Sequence, residues 1–258
     1  MYKISVSPEE IDKLPLTSFE GEIIVVDGIG KRFWEALDYL KKQKLLGFDT
    51  ETRPSFDQHS PHYGVALLQL SGPDRAYLFR VQKIPFIKLV YRILSNPRIT
   101  KVGAACADDI RGLRRYSRFD GRSFVDLQKI VWEWGIRDKG VRKLAANILG
   151  IKISKAQQLS NWEAEPLSEA QLKYAATDAW VCREMYLKLL ESEKHPLTDV
   201  ERIPPKQLEQ QMQAARLKAE KKAASEAAAQ SSRRRHRRRG RRKKKSTDVN
   251  SQNISQEG

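Results

Sequence analysis

The sequence has few cysteines, few histidines and no long apolar run, and each scarcity excludes a class of protein. Cys106 and Cys182 lack the C-x-x-C spacing of zinc and redox motifs, so we interpret them as buried reduced thiols. The four histidines have no obvious acidic or nucleophilic partner, which argues against a Ser-His-Asp hydrolase. Two of them, His59 and His62, lie in a segment that we predict to be a flexible loop.

No stretch approaches the roughly 18 apolar residues of a membrane span. The N-terminal residues have neither the basic nor the apolar region of a secretory leader. We therefore expect an intracellular, cytoplasmic protein that has no membrane partner.

Positive charge is concentrated near the end of the chain. The net charge is +16, and residues 206–258 contain 16 Lys and Arg against 5 Asp and Glu, or +11, which leaves +5 for residues 1–205. A mildly basic body followed by a strongly basic tail predicts a nucleic-acid partner. The sequence leaves protein partners unknown.

The densest basic block, RRRHRRRGRRKKK, is expected to be disordered because like charges repel each other. We predict that this block binds nucleic-acid phosphates without recognising a particular nucleotide sequence. The alternatives are a tail that increases solubility, a nuclear-import signal or a binding site for an acidic protein. The basic residues of the block are Arg233, Arg234, Arg235, Arg237, Arg238, Arg239, Arg241, Arg242, Lys243, Lys244 and Lys245.

The composition divides the chain in two. Dense apolar periodicity runs to about residue 195, and Pro204 and Pro205 introduce a polar composition that persists to the end. We therefore predict one domain over residues 1–200, and an Ala- and Lys-rich arm with the basic tail over residues 201–258. The stretch 207–230 has little to bury, so it is either a solvated helix or a helix formed only on binding.

Within the first part, β-branched runs alternate with helical patterns. Strands are predicted at residues 21–27, 45–51, 64–70, 75–79 and 100–105. Helices are predicted at residues 31–43, at about 85–95, from Asp108 onwards and in at least three later segments. This order predicts an α/β fold with a mixed sheet flanked by helices.

Asp49 and Glu51 form the first candidate for chemistry. Alternate residues of a strand share a face, so the two carboxylates point together while Phe48 and Thr50 point the other way. Like charges side by side repel each other, and their oxygens suit Mg²⁺ or Mn²⁺. The alternative is a strand that runs out into solvent.

The last strong helix supplies the second candidate. Ser168 and Gln171 have capping-box spacing at its start. Tyr174 and Asp178 are spaced i and i+4 beside the buried stripe, where a carboxylate needs a partner. The alternative is a tyrosine bonded in the core and an aspartate at its rim. The predicted exposed face comprises Lys173, Thr177, Trp180, Glu184, Lys188 and Glu191.

The third candidate is Asp108 or Asp109, where a predicted strand gives way to a helix. Ends of strands in α/β sheets are where sites gather. An aspartate at a helix start is also an ordinary cap, and the spacing does not tell which of the two turns inward.

Three segments together resemble the DEDD exonuclease superfamily, in its tyrosine-bearing branch, which includes ribonuclease D and the Werner syndrome exonuclease domain. They are GFDTET (47–52), KVGAACADDIRGL (101–113) and QLKYAATDAW (171–180). The order and the Y-x-x-x-D form both match, and the resemblance spans roughly residues 20–192. It implies a ribonuclease H-like fold and a metal-dependent 3′-5′ exonuclease.

The resemblance also implies a site. It selects Asp109 rather than Asp108, and it implies two divalent cations, Mg²⁺ or Mn²⁺. Asp49 would bridge both cations, Glu51 and Asp178 would complete one site, and Asp109 would hold the second largely through water. Tyr174 would orient the attacking water.

The expected substrates are single-stranded or recessed 3′ ends, cleaved to nucleoside 5′-monophosphates. The SNW segment (160–162) and the polar composition after Pro205 favour a Werner-like DNA exonuclease slightly. A ribonuclease D-like trimmer of RNA is the first alternative. A catalytically silent nucleic-acid-binding module is the second.

Overall fold

The structure is a computed structural model that describes residues 1–55, 63–85 and 87–222. The predictions for His59, for His62 and for the basic block at 233–245 fall outside these residues. The chain divides into two compact units, Met1–Arg202 and Ile203–Gly258.

In the described part of the first unit, six strands form one mixed sheet. They are β1 (Glu22–Val26), β2 (Leu45–Thr52), β3 (Val65–Ser71), β4 (Arg75–Arg80), β5 (Thr100–Gly103) and β6 (Phe124–Asp126). Their order across the sheet is β1-β4-β3-β2-β5-β6. β3 is antiparallel to both of its neighbours, and the other adjacent pairs are parallel. The predicted mixed sheet is confirmed.

Helices cover both faces of this sheet, as the alternating pattern predicts. They are α1 (Pro8–Asp12), α2 (Lys31–Lys42), α3 (Ile87–Leu94), α4 (Cys106–Leu113), α5 (Leu127–Ile130), α6 (Val141–Leu149) and α7 (Glu169–Leu190), with 3-10 turns at Val81–Lys83 and Val131–Trp134. The predicted capping box at Ser168 and Gln171 is present at the start of α7.

The sheet separates two apolar layers. Phe48 and Leu68 belong to a core that includes residues of α2, α3 and α4. On the opposite face, Leu67 and Leu78 pack with Ala175 of α7. Every residue of β3 is buried, which agrees with its central place in the sheet.

A glycine sets the distance between α7 and the sheet. A Cβ atom added at Gly47 of β2 would lie 1.8 Å from the carbonyl oxygen of Ala179. Because real atoms never approach so closely, only glycine permits this backbone contact. This contact holds the middle of α7 directly over β2, the strand that contains Asp49 and Glu51.

The prediction for the strand and helix around residue 105 is wrong in its bounds. β5 ends at Gly103 instead of Ala105, and α4 begins at Cys106 instead of Asp108. Ala105 adopts a left-handed conformation with φ of 60°, and its N–H donates to the Asp126 carboxylate at 3.0 Å. The side chain at the end of β6 therefore stabilises the turn, and local sequence carries no signal of it.

Thr177 is also placed differently from the prediction. Thr177 is only 4% exposed, although it was predicted to lie on the exposed face of α7. Its hydroxyl donates to the Lys173 carbonyl at 2.6 Å and accepts from the Phe19 N–H at 3.0 Å. The segment before β1 covers this side of α7 and also packs Phe19 against Trp180. The prediction is wrong because it considers only the pattern within α7, whereas a segment far away in the sequence covers Thr177.

In the second unit, residues 205–222 are helical and largely exposed. Arg216 and Glu220 form an i,i+4 ion pair at 3.2 Å. Among the described residues of the whole chain, no helix is both long enough and apolar enough to cross a bilayer.

Candidate active site

Three carboxylates from two elements meet beside α7. Carboxylate oxygens of Asp49, Glu51 and Asp178 all lie within 4.8 Å of one another, and the three residues are half-buried. Asp49 and Glu51 share a face because they alternate along β2. Asp178 joins them because Gly47 admits the α7 backbone next to that strand.

This arrangement is electrostatically costly without a cation. Burial, with repulsion from Asp178, Glu51 and Asp109, holds the pKa of Asp49 well above its usual range. Burial and repulsion from Asp178 and Asp109 raise the pKa of Glu51 to about 9. Burial raises the pKa of Asp178 to about 7, although a hydrogen bond with Tyr174 opposes the shift. A divalent cation would neutralise the repulsion, and an all-oxygen donor set fits Mg²⁺ or Mn²⁺.

Asp109 approaches this cluster from α4, on the other face of the sheet. The Thr50 hydroxyl donates to Asp109 Oδ1 at 2.5 Å. Burial raises the pKa of Asp109 to about 6, with the Thr50 hydrogen bond acting in the opposite direction. Asp109 is not among the three carboxylates within 4.8 Å, but its charge raises the pKa of both Asp49 and Glu51.

Asp108 has a different environment. Its side chain is 79% exposed and binds Arg111 at 2.7 Å, one turn along the same helix. The geometry therefore directs Asp109, and not Asp108, towards the three carboxylates.

Tyr174 lies one turn before Asp178 on α7. Its hydroxyl hydrogen-bonds to the Asp178 carboxylate. Burial and the charges of Asp178 and Glu51 raise the pKa of Tyr174 above its usual range, so the phenol is neutral and acts as a donor. The ring centroid lies 5.8 Å from that of Trp162, which is fully buried.

A cavity of about 210 Å³ opens next to Tyr174 and Asp178. Its other lining residues come from the segment before β1, from the stretch after α6 and from α7: Leu16, Thr17, Ser18, Ser154, Ala156, Gln157, Ala170, Lys173 and Thr177. At its edge Lys173 forms an ion pair with Glu20 at 3.3 Å. The cavity thus combines an apolar wall with hydroxyl, amide and ammonium groups beside the carboxylates.

Sequence reasoning missed two polar residues next to the carboxylates. Thr50 was assigned only to the opposite face, where it in fact binds Asp109. Gln69 lies directly opposite Asp49 in the β2-β3 pairing. The available signal for Gln69 was a single amide within the otherwise apolar run GVALLQL.

Comparison with known proteins identifies the family to which this chain belongs. A sequence model of the family described as "3'-5' exonuclease" matches residues 31–192. Among curated proteins, DNA polymerase I of Aquifex aeolicus is 29% identical over 155 residues, which cover 60% of this chain and 25% of the polymerase. Ribonuclease D of Haemophilus influenzae is 29% identical over 163 residues, which cover 62% of this chain and 39% of the ribonuclease. The chain therefore matches less than half the length of either relative.

The fold is shared with solved structures. The EXO domain of Aedes aegypti Nibbler superposes with a TM-score of 0.60 and 22% sequence identity, covering 68% of this chain and 91% of that domain. The family match includes β2, α4 and α7, the three elements that carry the acidic residues. The chain belongs to the 3′-5′ exonuclease family of the DEDD type.

Proposed function

We propose that the unit Met1–Arg202 hydrolyses phosphodiester bonds one nucleotide at a time from a 3′ end, with two divalent cations, and releases nucleoside 5′-monophosphates. The observation that carries this proposal is the group of carboxylates at Asp49, Glu51 and Asp178, with oxygens within 4.8 Å of one another. Such a group is costly in a protein interior unless it binds cations.

The chemistry of a phosphodiester explains why such a site is needed. The negatively charged phosphate repels a hydroxide nucleophile, and the 3′ oxygen is a poor leaving group. Bound divalent cations lower the pKa of the attacking water and stabilise the charge on the phosphate and on the departing oxygen. The work of the protein is to hold the carboxylates in place and to orient the reacting groups.

Each acidic residue has a distinct place in this proposal. Asp49, Glu51 and Asp178 would hold one cation, and Asp49 would also help to hold the second. Asp109 would contribute to the second site largely through water, which agrees with its place outside the group within 4.8 Å. The Thr50 hydrogen bond holds Asp109 Oδ1 and so fixes the orientation of this carboxylate.

Tyr174 orients the attacking water rather than removing its proton. Burial and nearby carboxylates raise the pKa of its hydroxyl, so it stays protonated at neutral pH. A protonated phenol can donate one hydrogen bond and accept another. Its contact with Asp178 places it at the cluster, and packing on Trp162 restricts its ring.

We propose that the 3′ end of the substrate strand lies in the cavity beside Tyr174 and Asp178. Tyr174 and Asp178 line this cavity of about 210 Å³, so a strand end that binds there lies next to the carboxylates. Lys173 at its edge supplies positive charge for a phosphate.

DNA is the proposed preferred polymer, with single-stranded or recessed 3′ ends as the reacting form. The similarity to a DNA polymerase I supports it. RNA is the second candidate, because another relative is named ribonuclease D. The two polymers differ at the 2′-hydroxyl, which a protein can contact directly.

Digestion of three 5′-labelled substrates tests the proposal: single-stranded DNA, duplex DNA with a recessed 3′ end, and RNA, each with Mg²⁺, Mn²⁺ or EDTA. We expect a ladder that shortens from the 3′ end in either metal, no ladder in EDTA, and faster cleavage of DNA. Faster cleavage of RNA would reverse the polymer preference. Tight binding without a ladder on any substrate would contradict the exonuclease and favour a silent binding module.

A further inference from the structure

Gln69 of β3 is an unexplained polar residue inside the sheet. Its side chain is 0% exposed, and among the described residues neither Oε1 nor Nε2 has a hydrogen-bond partner. Buried amides almost always find partners, because an unpaired one costs free energy. A fully buried amide of this kind therefore points to a polar neighbour that it can bind.

The strand register identifies that partner. Gln69 is the direct cross-strand neighbour of Asp49 in the antiparallel β2-β3 pair. Residues in such a pair emerge on the same face, with Cβ atoms typically about 5 Å apart. A glutamine side chain spans this separation, so its amide is within reach of the Asp49 carboxylate.

The shared face is the one that α7 covers. Gly47, two residues before Asp49, contacts the α7 backbone, and Leu67, two residues before Gln69, packs with Ala175 of α7. On its other side Gln69 is paired with Leu78 of β4, which offers no polar side chain. The Asp49 carboxylate is therefore the polar side chain that the register places next to the amide.

We propose that Gln69 is a positioning residue of the metal site: its side-chain N–H donates to Asp49 when the carboxylates hold cations. The amide thereby orients the Asp49 oxygens for the shared coordination assigned to them above, and this inference rests on that proposed function. Hydrogen bonds of this kind orient ligands in many metal sites, and their loss typically weakens metal affinity about 10- to 100-fold.

The test compares metal binding with stability in the full chain. Gln69→Met keeps the length of the side chain and removes both polar atoms, and Gln69→Leu is the second variant. Ser71→Ala is the matched control, because Ser71 is a buried polar residue on the same strand and face but lies opposite Gly47. Titration calorimetry with Mn²⁺ alone measures affinity, and urea unfolding in EDTA measures stability.

We expect Gln69→Met to bind Mn²⁺ roughly 10-fold more weakly or worse, while its stability in EDTA equals or exceeds that of the wild type. Its cleavage rate should recover at high Mn²⁺ concentration, as a defect in metal binding requires. Ser71→Ala should bind Mn²⁺ as the wild type does.

Two results overturn the inference separately from the proposed function. Wild-type Mn²⁺ affinity in both Gln69 variants would show that the amide does not act on the site. Equal losses of affinity in Gln69→Met and Ser71→Ala, together with lower stability in both, would show a packing role only. If the wild type itself bound no Mn²⁺, the two-metal function would fail, and the inference with it.

Discussion

Lys101 carries a charged group into the core beside β2, the strand that contains Asp49 and Glu51. It belongs to β5, is 0% exposed, and its Nζ donates to the carbonyls of Ile99 at 2.7 Å and Asn96 at 2.9 Å. Burial lowers the pKa of Lys101 from 10.5 to about 8. The two carbonyls accept two of its three protons, and the Phe124 ring centroid lies 5.1 Å from Nζ, but none of these groups supplies a counter-charge. The folded protein therefore retains a desolvation cost while the lysine is charged.

The stability difference between wild type and Lys101→Met should therefore depend on pH. Below about pH 8 both the folded and the unfolded lysine are protonated, and the cost is constant. Between pH 8 and 10.5 the unfolded state binds more protons, so the wild type becomes more stable relative to the variant, by up to about 3 kcal/mol in total. Urea unfolding at pH 7, 8, 9 and 10 measures this, and a constant difference would contradict it.

At the residue scale the sequence predicted most of the site. The alternation of Asp49 and Glu51 predicted a shared face, and the structure brings both together with Asp178. The spacing could not choose between Asp108 and Asp109, because the choice depends on where α4 begins. The partner of Gln69 could not be predicted either, since it depends on the register between two strands.

At the scale of elements, the candidate active site depends on how closely α7 approaches β2. Gly47→Ala should destabilise the protein, because the new methyl group would lie 1.8 Å from the Ala179 carbonyl oxygen. To relieve this clash, the backbone of β2 or of α7 would have to move, and either movement costs free energy. Overpacking of this kind costs about 1 to 3 kcal/mol. The same change at Gly28, where no atom lies within 4 Å, is the matched control.

Urea unfolding of both glycine variants measures the effect, and cleavage assays report on the site. Gly47→Ala should lose stability and activity together, since the helix that bears Asp178 must move away from Asp49. Gly28→Ala should retain both. A stable and fully active Gly47→Ala protein would show that the close approach does not position the carboxylates.

Local patterns predicted the elements, whereas they did not predict the end of β5 or the start of α4. β1 to β4 and α2 lie within one or two residues of their predicted bounds, because apolar periodicity and turn residues mark them in the sequence. The start of α4 depends on Asp126, which lies on another strand. The burial of Thr177 depends on Phe19, which is 158 residues away along the chain. Local sequence patterns cannot predict contacts between residues that are so far apart along the chain.

At the scale of the whole molecule, the basic block at 233–245 should act on substrate capture and not on the chemical step. Deleting residues 223–258 removes its 11 Lys and Arg side chains. We expect kcat on a short single strand to stay unchanged, KM to rise, and the decline of affinity with salt to become shallower, since fewer counterions are released.

The matched control for this deletion is a tail of the same length in which the 11 basic residues are replaced by serine. It should behave like the deletion if charge alone is responsible. An unchanged salt dependence in both variants would argue against phosphate binding and favour the import address or the acidic protein partner.

The proposed function requires that the carboxylates beside α7 hold the catalytic cations. The measurement that tests it most directly is the rate at which 5′-labelled single-stranded DNA is shortened in Mn²⁺ by wild type, Asp49→Asn and Asp108→Asn. Asp49→Asn removes a central charge without changing shape, and Asp108→Asn makes the same change at an exposed residue paired with Arg111. We predict wild-type rates for Asp108→Asn and a loss of at least about 100-fold for Asp49→Asn, which should remain folded in EDTA. A near-normal rate for Asp49→Asn would contradict the account.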